Sequence, residues 1–516
     1  MTATRFELVP REYRDSVSLM QLSATLAKLP GIEQASAVMA TENNLALLAE
    51  AGLHVDTVAA SPTDLLIVVC GKEELLASAI QRARELLTQP PDRTTTGTRM
   101  TALPRSIQMA SEETGGAGMA LISTPGEYAA AEALKALRLG LDVMLFSDNV
   151  SEQDELRLKQ FAQTRELIVM GPDCGTAIVN GVPLAFANVV RRGPIGAIGA
   201  SGTGLQEVTV LVDRLGLGIS QAIGTGGRDL SRSIGGLSML AALWDLAADE
   251  ATRVIVLISK PPASEVAERV IAEAAKAGKP VVVNFLGADS TRLPRNVYGA
   301  KTLEDAARAA VALANGGAPR SSYDETPALP ANLPRWSWEQ RYVRGLYSGG
   351  TFCYEASLLL DERLPDVYSN TPVRFGHELT DLKRSHHHAL IDLGDDVFTR
   401  GRPHPMIDYR LRSERLVGEA ADPETAVILL DVVLGYGSHA DPAAELAPAL
   451  RRAQEIADAE GRSIAFVGHI CGTDGDPQDL TRQARALKEA GMVLVESNAQ
   501  AARLAAAMVS GRSAKR

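Results

Sequence analysis

Aromatic side chains are scarce in this sequence: Phe, Trp and Tyr make up only 4% of its 516 residues. Leucine, valine, isoleucine and alanine must therefore build the cores. Basic residues are outnumbered, with 52 Lys and Arg against 63 Asp and Glu, for a net charge of −11. That balance argues against a nucleic-acid binder, whose footprint is a basic face. No apolar run approaches the ~20 residues that span a bilayer. The polar start MTATRFELVPREYRDS does not read as a signal peptide, so a cytoplasmic protein without membrane attachment is expected. Cysteine is rare as well. Cys70, Cys174, Cys353 and Cys471 lie far apart with no CxxC pair, which fits a reducing compartment and gives no disulfide framework or zinc site.

Hydrophobic residues at 46% and charged ones at 22% describe a packed protein. Its length holds about three or four domains. Residues 1–100 read as a small α+β unit of alternating strands and helices, followed by the linker-like TQPPDRTTTGT. From 101 to 193 short apolar strands (MALIST, DVMLFSD, LIVMG) alternate with helices, the pattern of a Rossmann-like parallel sheet. A further α/β unit occupies 194–317, a Pro-rich linker 318–339, and a last α/β unit 340–516.

The last unit repeats the order of strand ends in the one before it. In the first copy, a strand ending in Ser201-Gly202-Thr203-Gly204 opens a helix, and the next strand ends in Gly226-Gly227-Arg228. In the second, Ser348-Gly349-Gly350-Thr351 opens a helix, and later strands end at Asp395-Asp396 and at His439. An internal duplication with an insert around 360–388 accounts for this, although strand-glycine-helix grammar is common to all α/β domains. Open α/β sheets bind ligands at the carboxyl ends of their strands. Glycine there lets an anion reach the backbone amides, and the helix dipole favours negative charge. One such turn is ordinary helix capping; two copies point to a shared phosphate pocket, with Ser201 and Ser348 expected to converge.

The stretch GPDCGTAIVNGV, followed by RRGPIGAIGASGTGLQEVTVLVDRLGLGISQAIGTGGRDL, resembles the α subunit of succinyl-CoA synthetase. SGGT, LIDLGDD, VILLDVVLGYGSH and VGHICGTD resemble the matching β-subunit domain, and the chain as a whole resembles the FdrA family. The resemblance implies an α/β fold: a small α+β N-terminal unit, a Rossmann-like CoA-binding-type domain, and two flavodoxin-like ligase-CoA-type domains related by duplication. It also implies both halves of a phosphate cradle in one chain. Two departures stand out. The loop NFLGADSTRLPRNVYGAKTLEDA lacks the histidine that the synthetases phosphorylate, and Lys260 stands where they carry a carboxylate.

A cradle without a phosphate carrier suits a substrate that brings its own phosphate. At family level, FdrA-type chains imply a subunit of oxamate carbamoyltransferase in allantoin catabolism, working with separately encoded partner subunits. Oxalurate plus phosphate is interconverted there with oxamate plus carbamoyl phosphate. Alternatives are an acyl-CoA synthetase subunit and a non-catalytic phosphate- or CoA-sensing subunit. Phosphate and carbamoyl phosphate are the expected ligands, CoA and Mg2+ are further candidates, and an oligomer is expected. Lys260 and Arg228 are candidate anion binders, Arg228 equally a surface ion pair. His404, His439 and His469 are candidate acids, bases or carbonyl polarisers, although a histidine bonded to backbone is the commoner case for any one of them. Asp395 and Asp396 are candidates for substrate contact or helix capping.

Overall fold

Strand-forming runs of Val, Ile and Leu alternate with alanine-rich amphipathic helices throughout the computed structural model. It describes residues 2–14, 16–53, 60–88, 104–288, 292–320, 325–331, 333–334, 336–399 and 402–510. The expected linker after residue 88 falls mostly outside the described residues, as does part of 318–339.

Strands Thr2–Val9, Ile32–Met39 and Leu65–Lys72 form an antiparallel sheet with Leu65–Lys72 at its centre. Leu19 and Leu26 from helix Ser16–Ala27, and Leu76 and Ile80 from helix Glu73–Thr88, bury its apolar face. Next comes a parallel three-stranded sheet of Met119–Ile122, Asp142–Leu145 and Val169–Met170.

The two larger sheets share one topology. In the first, Arg192–Gly199 lies between Ile219–Gly224 and Val254–Ser259, with Val281–Phe285 and Val297–Gly299 beyond. In the second, Tyr342–Tyr347 lies between His388–Asp392 and Thr425–Val433, with Ala465–Cys471 and Met492–Val495 beyond. Both are the flavodoxin-like order 2-1-3-4-5. The insert around 360–388 supplies an extra parallel edge strand, Val367–Ser369. The hairpin Thr176–Val179/Val182–Ala185 joins the first large sheet by antiparallel pairing of Ile178 with Ala222, so that sheet begins upstream of residue 193.

Helices Gly202–Arg214 and Leu303–Ala314 from one half face Gly350–Asp361 and Asn498–Ser510 from the other. Leu205, Val208, Ala306, Phe352, Ala356, Ala502 and Ala505 belong to one continuous core there, in which small alanines let the helices close up. Two glutamates at matching positions lock the halves reciprocally. Glu207 accepts the N–H of Asn498 (3.1 Å), and Glu355 accepts the N–H of Leu303 (2.7 Å). Each thereby caps the closing helix of the other half. This exchange is what a duplication packed about a pseudo-two-fold axis produces.

The exchange has a pH signature. Burial pushes the Glu355 carboxyl up to about 7, with the Leu303 N–H and the Asn498 amide pulling the other way. A raised carboxyl favours the folded state fully below its unfolded value of 4.5, and that contribution fades as pH rises to about 7. The loss is on the order of 3 kcal/mol. Glu355→Gln keeps the acceptor for Leu303 and removes the charge. Its melting temperature, relative to wild type, should therefore rise between pH 5 and 8; equal pH slopes for the two proteins would refute this.

Candidate active site

The two glycine-rich turns meet. Ser201 ends strand Arg192–Gly199 and caps its helix by accepting the Gly204 N–H (3.0 Å). Its hydroxyl also contacts the Thr351 hydroxyl, at the start of the opposite helix. A Cβ on Gly349 would lie 2.9 Å from Thr203 Cγ2, and one on Gly204 3.2 Å from Thr351 Cγ2. Glycine is required at both positions for this approach. The first-turn N–H groups of Gly202, Thr203, Gly350 and Thr351 have no carbonyl four residues back within their helices, so two sets of donors lie where the turns meet.

Ser348 does not face that meeting point with its polar groups. Asp431, in the middle of the buried strand Thr425–Val433, accepts the Ser348 N–H (2.8 Å), the Ser348 hydroxyl (2.6 Å) and the Gly349 N–H (3.0 Å). Arg412, itself fully buried, completes the cluster on Asp431 at 2.7 Å. The expected phosphate contacts of Ser348 and Gly349 are corrected accordingly: a carboxylate of the chain already occupies their anion site. What remains of the second turn is Gly350 and Thr351.

Lys260, at the end of strand Val254–Ser259, and Asp392, at the end of His388–Asp392, both reach Gly350. A Cβ there would lie 3.1 Å from Lys260 Nζ and 2.3 Å from Asp392 Oδ2. Burial pushes the Asp392 carboxyl up to about 6, and Lys260 is the leading opposing influence. His404 completes this wall. Its Nδ1 accepts the Met406 N–H (3.2 Å), and a Cβ on Gly394 would sit 2.8 Å from its Nε2 and 3.2 Å from Asp392 Oδ1. Burial pushes the imidazole down to about 4, so it is neutral near pH 7. With Nδ1 used as acceptor, the proton resides on Nε2, which therefore donates.

Asp173 lies within electrostatic reach of Lys260. Desolvation, then Asp148 and Asp396, push its carboxyl up to about 7, while Lys260 and Arg228 pull it down. Asp396 acts on Asp173 through its charge, whereas Asp395 accepts the Val397 N–H (3.0 Å) and caps the short helix Asp396–Thr399. Gly227 is exposed with open space around it, and Gly226 (φ +86°) packs on Pro172, where a Cβ would meet the carbonyl oxygen at 2.4 Å.

Three expected site residues serve packing instead. Arg228 bonds Glu155 (3.1 Å) and the Val150 carbonyl (2.7 Å), beside a buried cluster in which Lys159 bridges Glu155 and Asp229 at 2.8 Å each. It clamps the small parallel sheet to the first large one. His439 lies 2.9 Å from Lys28 and accepts the Asp441 N–H (3.0 Å), so it docks the N-terminal unit. His469 is wholly buried, edge-on to Phe352 (4.8 Å between centroids) with Nε2 3.5 Å from Glu207. It braces the first cradle helix from beneath.

A cavity of about 430 Å³ opens between the N-terminal unit, the turn 123–127, helix Asp396–Thr399 and residues 402–403. Its charged lining consists of Arg14 and Arg402 against Glu127, Asp148 and Asp396.

Residues 346–508 match the CoA-ligase family, residues 191–287 the CoA binding domain, and residues 1–102 the AllF, heavy metal-associated domain. The chain is 43% identical to the uncharacterized protein YahF of Escherichia coli K12, over 98% of both chains. It belongs to the YahF family. That family is succinyl-CoA synthetase-like: the α subunit of the ADP-forming succinate–CoA ligase of Staphylococcus aureus is 27% identical over 188 residues, 35% of this chain and 60% of that subunit. Among solved structures, a dinucleotide-forming acetyl-coenzyme A synthetase from Ca. Korarchaeum cryptofilum is 14% identical with a TM-score of 0.34, covering 81% of this chain and 88% of its own. The ATP citrate lyase of Methanothrix soehngenii is 16% identical with a TM-score of 0.36, covering 62% and 56%.

The heavy-metal-associated unit has one cysteine, Cys70, and among the described residues no three His, Cys, Asp or Glu side chains gather to hold an ion.

Proposed function

We propose that this YahF-family chain is the phosphate-handling subunit of an FdrA-type carbamoyltransferase. It would interconvert oxalurate plus phosphate with oxamate plus carbamoyl phosphate in allantoin catabolism, together with separately encoded partner subunits. The observation that carries the reading is the cation at the cradle: Lys260, with Asp392 beside it, meets the first turn of the Gly350–Asp361 helix, where the two glycine-rich turns come together. Such a site takes the phosphate of the substrate directly. The neighbouring imidazole is a poor phosphate carrier, because the protonated Nε2 of His404 has no lone pair to offer while Nδ1 holds the Met406 N–H.

The groups present suit the step. Amide nitrogen of oxamate attacks the carbamoyl carbon, the new C–N bond replaces the C–O bond to phosphate, and the phosphate departs with that electron pair. His404 Nε2–H donates to the carbamoyl oxygen as charge develops on it. Asp392, with its carboxyl at about 6, accepts the proton lost by the nitrogen. Lys260 and the helix amides hold the leaving phosphate. The AllF-type N-terminal unit agrees with a place in allantoin catabolism.

The match of residues 346–508 to the CoA-ligase family favours a second reading, an acyl-CoA synthetase subunit. One assay separates the two. With partner subunits, carbamoyl phosphate and oxamate should yield oxalurate without nucleotide, and His404→Ala should lower kcat about a hundredfold. No ureido product, together with ATP-dependent thioester formation from an acid and CoA, would establish the second reading instead.

A further inference from the structure

The N-terminal unit is seated on both of its neighbours. The Tyr13 hydroxyl donates to the Ser123 carbonyl (3.3 Å), Lys28 bonds Glu445 (2.9 Å), and Arg410 reaches the Ala27 carbonyl (3.4 Å). The cavity of about 430 Å³ lies under this roof and falls within the size range of small-ligand sites, roughly 300–1,000 Å³. Its floor is the strand end and helix start at Ser123–Gly126, the position at which parallel sheets take ligands. Pro125 provides no side-chain cap for helix Gly126–Arg138, which leaves the first-turn amides without a partner from that side chain. Gly126 packs so closely on Asp148 that a Cβ would lie 2.2 Å from its carbonyl oxygen.

The polar groups of the cavity are of two kinds. Arg402 has no side-chain partner among the described residues, and Arg14 Nε is buried without one, although its other nitrogen holds Glu12 (2.7 Å) and the Leu87 carbonyl (2.9 Å). Both line the cavity, and they come from two different units; a guanidinium is suited to a carboxylate. Asp148 and Asp396 supply acceptors for N–H groups. Asp396 lies four residues after Asp392, and Arg402 two residues before His404, so the cavity lining continues along the chain into the wall formed by Asp392 and His404.

We propose that this cavity binds the carbamoyl acceptor, a small carboxylic acid bearing an amide, and its carbamoylated product, the corresponding ureide, with the carboxylate on Arg402 and Arg14 and the N–H groups on Asp148 and Asp396. The N-terminal unit is then a substrate-binding roof. The identity of the ligand rests on the carbamoyl-transfer reading; the compartment rests on the geometry alone.

Calorimetric titration of the full chain with oxalurate, oxamate and inorganic phosphate tests it. Oxalurate should bind the wild type, and Arg402→Ala should weaken it about tenfold or more, as expected for a lost charge-assisted pair. Met20→Trp, which fills the cavity from the roof, should abolish oxalurate binding while phosphate binding and the melting temperature are retained, and this shows that the chain still folds. Oxalurate binding unchanged in both variants overturns the proposal. So does a wild type that binds phosphate but neither acid, a result that leaves the phosphate cradle standing. A wild type that binds the acids but not phosphate removes the cradle and leaves the compartment.

Discussion

Lys260→Ala is expected to lower carbamoyl transfer about ten- to a hundredfold, the cost of one charge-assisted bond in a partly desolvated site. The side chain is half-buried at a strand end, so its removal takes little from the core and the melting temperature should hold. A second effect follows from its neighbour. Lys260 is the leading influence that keeps the Asp392 carboxyl from rising above about 6, so without it that carboxyl rises further. If Asp392 accepts the proton, the acidic limb of the pH–rate profile then moves to higher pH. Lys260→Glu should be worse, because it sets a second carboxylate beside Asp392 and repels the phosphate. Wild-type turnover and an unmoved acidic limb in Lys260→Ala would reduce the residue to a surface lysine.

Asp431→Ala is expected to destabilise the protein by about 3–5 kcal/mol, the usual cost of leaving one member of a buried ion pair alone. Arg412 and Asp431 are both fully buried, and the same carboxylate satisfies the N–H groups of Ser348 and Gly349. Removing it strands a guanidinium and two amides together. Replacing Arg412 by methionine as well should recover part of the loss, since no buried charge then remains. Urea denaturation of the two single variants and the double variant reads the coupling. Additive losses would mean that the two side chains do not act as a pair.

The architecture was legible because it repeats. Strand ends made of Ser, Gly and Thr, each opening a helix, announced two related α/β units, and both sheets have the order 2-1-3-4-5. The convergence of Ser201 on the second turn also followed from the repeat. What occupies the turn at Ser348 did not, since its partner Asp431 lies 83 residues away in sequence. One signal was there to read: an aspartate inside the apolar strand TAVILLDVV must find buried donors. Asp392 ends LID in the same way. Arg228 and His439 look like anion binders and catalysts when only their strand ends are considered. Their partners, Glu155 and Lys28, come from other units, and local spacing carries no information about such docking. The lone proline at position 125 and the arginine at 402 gave no hint of a shared cavity, because only the seating of the N-terminal unit brings them together.

Tracing labelled phosphate tests most directly whether the cradle serves the phosphate of the substrate or a phosphorylated side chain. The chain and its partner subunits would be incubated with oxalurate and radiolabelled orthophosphate, and in parallel with ATP labelled in its γ-phosphate. Label should appear in free carbamoyl phosphate in the first mixture, and the chain should stay unlabelled in both. An acid-labile phosphoprotein formed on this chain from ATP, with no labelled carbamoyl phosphate, would contradict this.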